Sequence, residues 1–495
     1  MKVLHRESGR ASEGRARGWL SSALGDLIER EAAGGAAGLV AASVPIGEFD
    51  PVSLYAAAVE AGLEAAVWLR PSEDFALVGI GRAWVAQAAG PERFREEDAA
   101  WRSLVAGARL SRPADVRGLG PVLIGGLGFS GRAPRPEDDW APFGAASLVM
   151  PSLVALRSEG ASWLTASVVA AGAGRAAGEA AGADAAELDR TWARLAGRAD
   201  ELARREAESA PKPPEAPLAI EKELPGVQHW RHVVGLMAGA VGRGRLDKVV
   251  FARRVDMSSP ADLDVASALR RLSASAPESA VFAFRRGPRT FMGATPERLV
   301  RSDGRTYLTA AIAGSIRRGS DAAEDAALAA ELLASEKERE EHAVVVRTIR
   351  GQLGPISERI EIAPEPGILV LRHVQHLVTE IAGTLRVQEG LLALGGLLHP
   401  TPAVGGEPRD LALAMIYENE AFDRGWYAGP VGWLSAGGDG ELMVALRCGL
   451  VEGKRAALFA GCGIVADSDP DREWEESRIK MRAVAAALGR PGDEP

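Results

Sequence analysis

The chain has 495 residues, 47% of them hydrophobic and 25% charged, and a formal net charge of −9. That composition describes a globular protein with a sizeable core, and its acidic balance argues against a nucleic-acid partner, whose binders carry basic patches. An anionic substrate would need local compensation from a metal, arginines or backbone dipoles. Two cysteines, Cys448 and Cys462, cannot staple a chain of this length, and no CxxC pair occurs, which points to a reducing compartment. The N-terminal stretch is basic without an apolar core behind it, so it does not read as a secretory signal. FGAASLVMPSLVAL is too short to cross a bilayer. The expectation is a cytoplasmic protein with no membrane partner.

In chain order, residues 1 to about 35 read as a peripheral helix rich in Ala, Gly and Arg. A strand is expected at 39–45, then a helix over 51–62 behind Asp50 as N-cap. AAVWLRP and FALVGIGRAWVAQ read as paired strands, PERFREEDAAWRSLVAGARL as an amphipathic helix. PVLIGGLGFS and SLVMPSLVALRSEGASWLTASVV add strands, and 185–208 a polar-faced helix. The Pro-rich run 211–217 is the best linker in the chain. Beyond it come the helix HWRHVVGLMAGAVGRG, the strand DKVVFARRVDM, the helix ADLDVASALRRLSASAP, and strands in SAVFAFRR, TFMGATPERLV and YLTAAIAGSIRRG. An acidic stretch comes next, in which Ser335 and Glu338 form a capping-box pattern for a helix over 336–353. ILVLRHVQHLVTEIAGTL returns to strand. Past LHPTPAVGG and an acidic helix lie apolar strands joined by tight turns, with Asp439–Gly440 a strong hairpin signal. Consecutive strands broken by single helices favour an α+β fold with largely antiparallel sheets.

Chemistry concentrates in the C-terminal half. Glu341 shares a helix side with Val344, Val345 and Thr348, while Glu473, Glu476 and Lys480 share one face of the last helix. Helical glutamates are ordinarily solvated, but oxygen donors from two helices are what Mg²⁺ prefers. Lys248 opens the strand KVVFAR; a lysine there usually protects a sheet edge, yet a buried one can serve as a general base. Glu297, after Pro296, could donate a proton if its site is apolar. AIAGS (Gly314, Ser315) and AGCGIV (Gly461, Gly463) could present backbone N–H groups to a carboxylate or merely allow close strand packing. Arg447, in MVALR, reads as a buried-strand arginine in need of an anion. His342, His376 and His399 are too scattered for a metal triad, and His376 has the best claim to a polar contact.

KVVFAR, FMGATPERL, AIAGS, LLASEKEREEH, VQHL, LHPTPAVGG, RGWYAGPVGW, GDGELMVALR, AGCGIV and SDPDREWEE together resemble the chorismate-utilising enzymes, and among them the isochorismate synthases, over about 241–488. The resemblance implies a large antiparallel β-sandwich with helices packed outside. It divides the chain into a variable half, 1–217, contributing sheet and helices to that fold, and a chorismate-binding catalytic region, 218–495. It implies Lys248 as the base that activates water and Glu297 as the acid that protonates the departing 4-hydroxyl. It implies Mg²⁺ on Glu341 and Glu476 with Glu473 beside them, and Gly314, Ser315, His376, Tyr427, Arg447, Gly461, Gly463 and Lys480 around the substrate. Cys462 stands where alanine is common, and Phe251 replaces a usual leucine and is expected to reshape the wall slightly. Ammonia-using anthranilate synthases lack lysine at the Lys248 position, and aminodeoxychorismate synthases place a lysine where Ala313 stands, so no amidotransferase subunit is implied and a monomer is expected. Salicylate synthases share Lys248 and Glu297 and are the alternative; a non-catalytic chorismate binder is the other. The product would serve menaquinone or siderophore synthesis.

Overall fold

A computed structural model describes residues 38–169, 185–208, 217–370, 374–387 and 389–491. The helix expected over 1–35 and all but the last residue of the linker expected at 211–217 lie outside the described residues, and Pro217 opens the strand Pro217–Leu224. Among the described residues, two sheets of 14 and 10 strands carry the fold, and nearly all their pairings are antiparallel. Each sheet draws on both ends of the chain. In the wide sheet, Ala65–Arg70 pairs with Ala280–Arg286. In the narrower one, Val122–Leu127 pairs with Pro430–Ser435.

One core fills the space between the sheets, where Phe75 stacks on Trp433 with ring centres 5.1 Å apart, and Trp140, Phe291 and Trp426 meet edge to face. A second core lies on the other face of the wide sheet, under the helices Pro51–Glu60, Ala185–Glu208, Val265–Ser275 and Pro470–Leu488. This layering explains AAVWLR and FALVGI, which pair as expected but whose residues are all buried. Strands covered on both faces read as continuous apolar runs rather than alternating ones.

Local signals hold at several ends. Asp50 caps Pro51–Glu60 by accepting from Ser53 N at 2.6 Å. Asp439 closes the 434–440 hairpin through Ser435 N, which donates to its carbonyl at 2.8 Å. The acidic stretch holds two helices rather than one: Ala322–Ala334 stands ahead of Glu336–Leu353, and the sequence pattern marks only the second. Among the described residues no helix is long and apolar enough to cross a membrane.

One buried ion pair ties several segments together. Arg424 and Glu420 side chains are 2% and 4% exposed and lie 2.5 Å apart. Arg424 also donates to Val404 O at 2.9 Å and Val250 O at 2.8 Å, while Glu420 accepts from Ala252 N at 2.9 Å. The loop 399–405 and the strand Lys248–Ser258 are thereby held in one frame. Arg424→Met would leave Glu420 buried without its partner, and urea unfolding should show a loss of about 3–5 kcal/mol. The double variant Arg424→Met, Glu420→Met should recover most of that loss.

Candidate active site

The strand Lys248–Ser258 runs antiparallel to Arg455–Ile464, with Val250 opposite Gly463 and Ala252 opposite Gly461. The Lys248 side chain crosses Gly463: a Cβ there would lie 2.3 Å from Lys248 Cε. A Cβ on Gly461 would lie 3.0 Å from the Tyr427 hydroxyl, whose ring stacks on Phe459 at 5.4 Å. Both glycines thus make room for functional side chains on one face of the sheet.

A cavity of about 280 Å³ lies over this face. All thirteen residues that the resemblance assigns to the site line it: Lys248, Glu297, Gly314, Ser315, Glu341, His376, Tyr427, Arg447, Gly461, Gly463, Glu473, Glu476 and Lys480. Lys248 Nζ donates to Glu341 Oε1 at 2.5 Å. Lys480 Nζ lies 2.6 Å from Glu476 Oε1 and donates to Gly461 O at 2.9 Å. Ser315 Oγ and His376 Nδ1 are 2.7 Å apart. Burial, helped by Arg447 and Lys480, lowers the His376 pKa to about 4, so its ring is neutral near pH 7. Burial raises Glu297 to about 7, against the pull of Lys248, Lys480 and Arg447. Glu476 is held low, first by the Lys480 ammonium.

Three sequence expectations change. Arg447 is not in a strand: it sits between Gly440–Val444 and Cys448–Glu452 with φ +48°, a left-handed turn that aims it into the cavity. Its guanidinium makes no hydrogen bond or ion pair with a described residue, and burial lowers its pKa. The capping box is half made. Ser335 Oγ accepts from Glu338 N at 3.3 Å, but the Glu338 carboxylate accepts from Ser315 N at 3.1 Å. Gly314, at φ +77° in a register break, turns that amide toward the helix. Glu338 therefore lines the cavity, as does Lys337, and neither stands out as a site residue in the sequence. The signal for Glu338 is its place three residues before Glu341 on one helical face. Phe251 leaves the wall untouched, since it stacks on Trp230 at 5.0 Å and does not line the cavity. Of the other histidines, His342 binds Thr379 Oγ1 at 2.7 Å and His399 binds Phe129 O at 3.0 Å, both buried.

The donor set suits a hard cation. Carboxylate oxygens of Glu473 and Glu476 and the sulfur of Cys462 lie within 4.8 Å of one another. Cys462 donates to Glu473 O at 3.1 Å and burial pushes its thiol pKa up, so the oxygens are the fitting ligands. Glu341 faces the same cavity from the other acidic helix, paired to Lys248. Desolvation, with a like charge next, raises both Glu338 and Glu473. Such crowding is what a bound cation relieves.

Residues 26–489 match the chorismate binding enzyme family. The chain belongs to that family. It is 39% identical over 454 residues to the salicylate biosynthesis isochorismate synthase of Pseudomonas aeruginosa, covering 92% of this chain and 91% of that one. It is 33% identical over 462 residues to isochorismate synthase MenF of Bacillus subtilis, covering 91% and 93%. The solved structure of MenF, the menaquinone-specific isochorismate synthase from Escherichia coli, superposes with a TM-score of 0.72 at 25% identity, over 95% of this chain and 99% of that one.

Gly463→Ala should displace the Lys248 side chain while leaving the fold intact, with kcat falling about 100-fold, as misplacement of a reacting group does; circular dichroism and steady-state kinetics would check both. The Glu297 carboxyl titrates at 4.5 in the unfolded chain and at about 7 in the fold, so the fold binds its proton more tightly. The stability this gives is complete below pH 4.5 and is lost as pH rises through about 7. Glu297→Gln removes that slope, and denaturation at pH 8 should find it more stable than the parent by about 1–3 kcal/mol.

Proposed function

We propose that this chain is an isochorismate synthase, a Mg²⁺-dependent isomerase that adds water at C2 of chorismate and expels the C4 hydroxyl. The observation that carries the reading is the placement of Lys248 and Glu297 in one cavity with an unpaired arginine and two acidic helices. Lys248 takes a proton from the water that attacks C2. The ring double bonds shift, and Glu297, protonated below about pH 7, gives its proton to the C4 oxygen, which leaves as water. Arg447 pairs with a substrate carboxylate, the enolpyruvyl one. Tyr427, Gly461, Gly463, Gly314, Ser315 and neutral His376 shape the walls around the ring, and Lys480 holds Glu476 in place.

Five carboxylates face four cationic side chains in the cavity, so a dianion would bring uncompensated negative charge. Mg²⁺ held by Glu341, Glu473 and Glu476 would offset that charge at the ring carboxylate. Glu341 would then leave Lys248, freeing the amine to face water. With water as nucleophile, no amidotransferase subunit is needed, and the protein acts as a monomer, with residues 218–495 supplying the chemistry.

Incubation of chorismate with protein and Mg²⁺, followed by chromatography, should yield isochorismate; a fluorescent salicylate product would instead mark the pyruvate-eliminating alternative. Lys248→Ala and Glu297→Gln should each lower kcat by about 10²–10⁴-fold. Full turnover in either would remove that residue's role.

A further inference from the structure

We propose that the pair formed by buried Glu441 and half-buried Arg298 is the positioning device for Glu297, an inference that rests on the isochorismate synthase reading. Glu441, in strand Gly440–Val444, is wholly buried (0% exposed). Its Oε1 accepts from Arg298 Nε at 3.2 Å. Arg70 Nε and Arg117 Nη2 each stand 3.9 Å from its Oε2, which accepts no hydrogen bond. A second carboxylate, Glu73, accepts from Arg70 at 2.8 Å, Arg117 at 2.9 Å and Arg301 at 3.3 Å. Four guanidiniums thus converge on two carboxylates, and none of the six lines the cavity.

An apolar pair would join these strands at least as stably as a buried charge. What the ion pair adds is direction. Arg298 lies opposite Met443 and Val300 opposite Leu442, so the strand Arg298–Asp303 carries an extra residue at this point. A bulge of this kind re-aims the side chains beside it. Glu297 is the residue just before it. Its carbonyl accepts from Val444 N at 2.9 Å, and its amide donates to Thr295 Oγ1 at 3.3 Å, whose hydroxyl donates to Val444 O at 2.5 Å. These bonds fix where the main chain of Glu297 lies. The rotation of the bulge, and with it the aim of the Glu297 carboxyl, is set by the grip of Glu441 on the next side chain. Glu441 also offsets a guanidinium that would otherwise stand uncompensated one residue from the proton donor.

The test pairs steady-state kinetics with ¹³C NMR of glutamate-labelled protein, in which the Glu297 carboxyl is the resonance absent from Glu297→Gln. In Glu441→Gln, kcat should fall about 10–100-fold with KM within about twofold, as expected for a misaimed reacting group. The Glu297 titration midpoint should drop below that of the parent, because Arg298 has lost its counter-charge. Arg298→Lys, which keeps the charge but loses the planar fork, should show an intermediate loss. The double variant Arg298→Met, Glu441→Met should fold with a Tm near the parent's and still show the loss of kcat. If Glu441→Gln lowers Tm while kcat and the midpoint stay, or if the double variant regains full kcat, the proposal is overturned. Should Glu441→Gln fail to fold, the kcat of the double variant decides. A parent protein that leaves chorismate unconverted would remove the functional reading instead, and the titration midpoint would still decide whether Glu441 governs the setting of Glu297.

Discussion

The constraint on which this structure turns is the cost of gathering charge in one half-buried cleft. Unpaired, each ionised group there would be expensive, so each is given a partner or a shifted protonation state. Lys248 answers Glu341, and Lys480 answers Glu476. Glu297, which lacks a direct partner, holds its proton more tightly. Among the described residues Arg447 has no anionic partner, and burial lowers its pKa.

The scaffold serves that arrangement through small residues and buried anchors. Glycines at 461 and 463 are empty space into which Tyr427 and Lys248 reach. Arg424 fixes the loop 399–405 and the lysine strand by donating to their carbonyls. The acidic residues come from two separate helices, Glu336–Leu353 and Pro470–Leu488, whose faces meet only because the sheets beneath bring them together.

Much of this is legible in the chain. The strings around Lys248, Glu297, Arg447 and Gly461–Gly463 point to one cleft, and turn and cap residues such as Asp50 and Asp439 mark element ends. What escapes depends on contacts between distant segments. The turn of Glu338 toward Ser315 depends on a left-handed glycine at 314, and no local pattern could favour it over the reciprocal cap. Arg447 reads as strand because its neighbours are apolar, yet its φ places it in a turn. Phe251 reads as wall because it lies near Lys248, but strand alternation sends it to Trp230. The cluster around Glu441 joins Arg70 and Arg117 to residues some 300 positions later, a separation that periodicity does not see.

The interleaving of the two halves in both sheets carries a consequence for dissection. Severing the chain near its middle would strip Ala280–Arg286 and Pro430–Ser435 of their neighbours Ala65–Arg70 and Val122–Leu127. Each would become a long, flat, apolar edge with a row of unanswered amides and carbonyls, the kind of surface that recruits other chains. The C-terminal half is therefore not a module to be expressed alone, because strands from the first half cover its edges in both sheets.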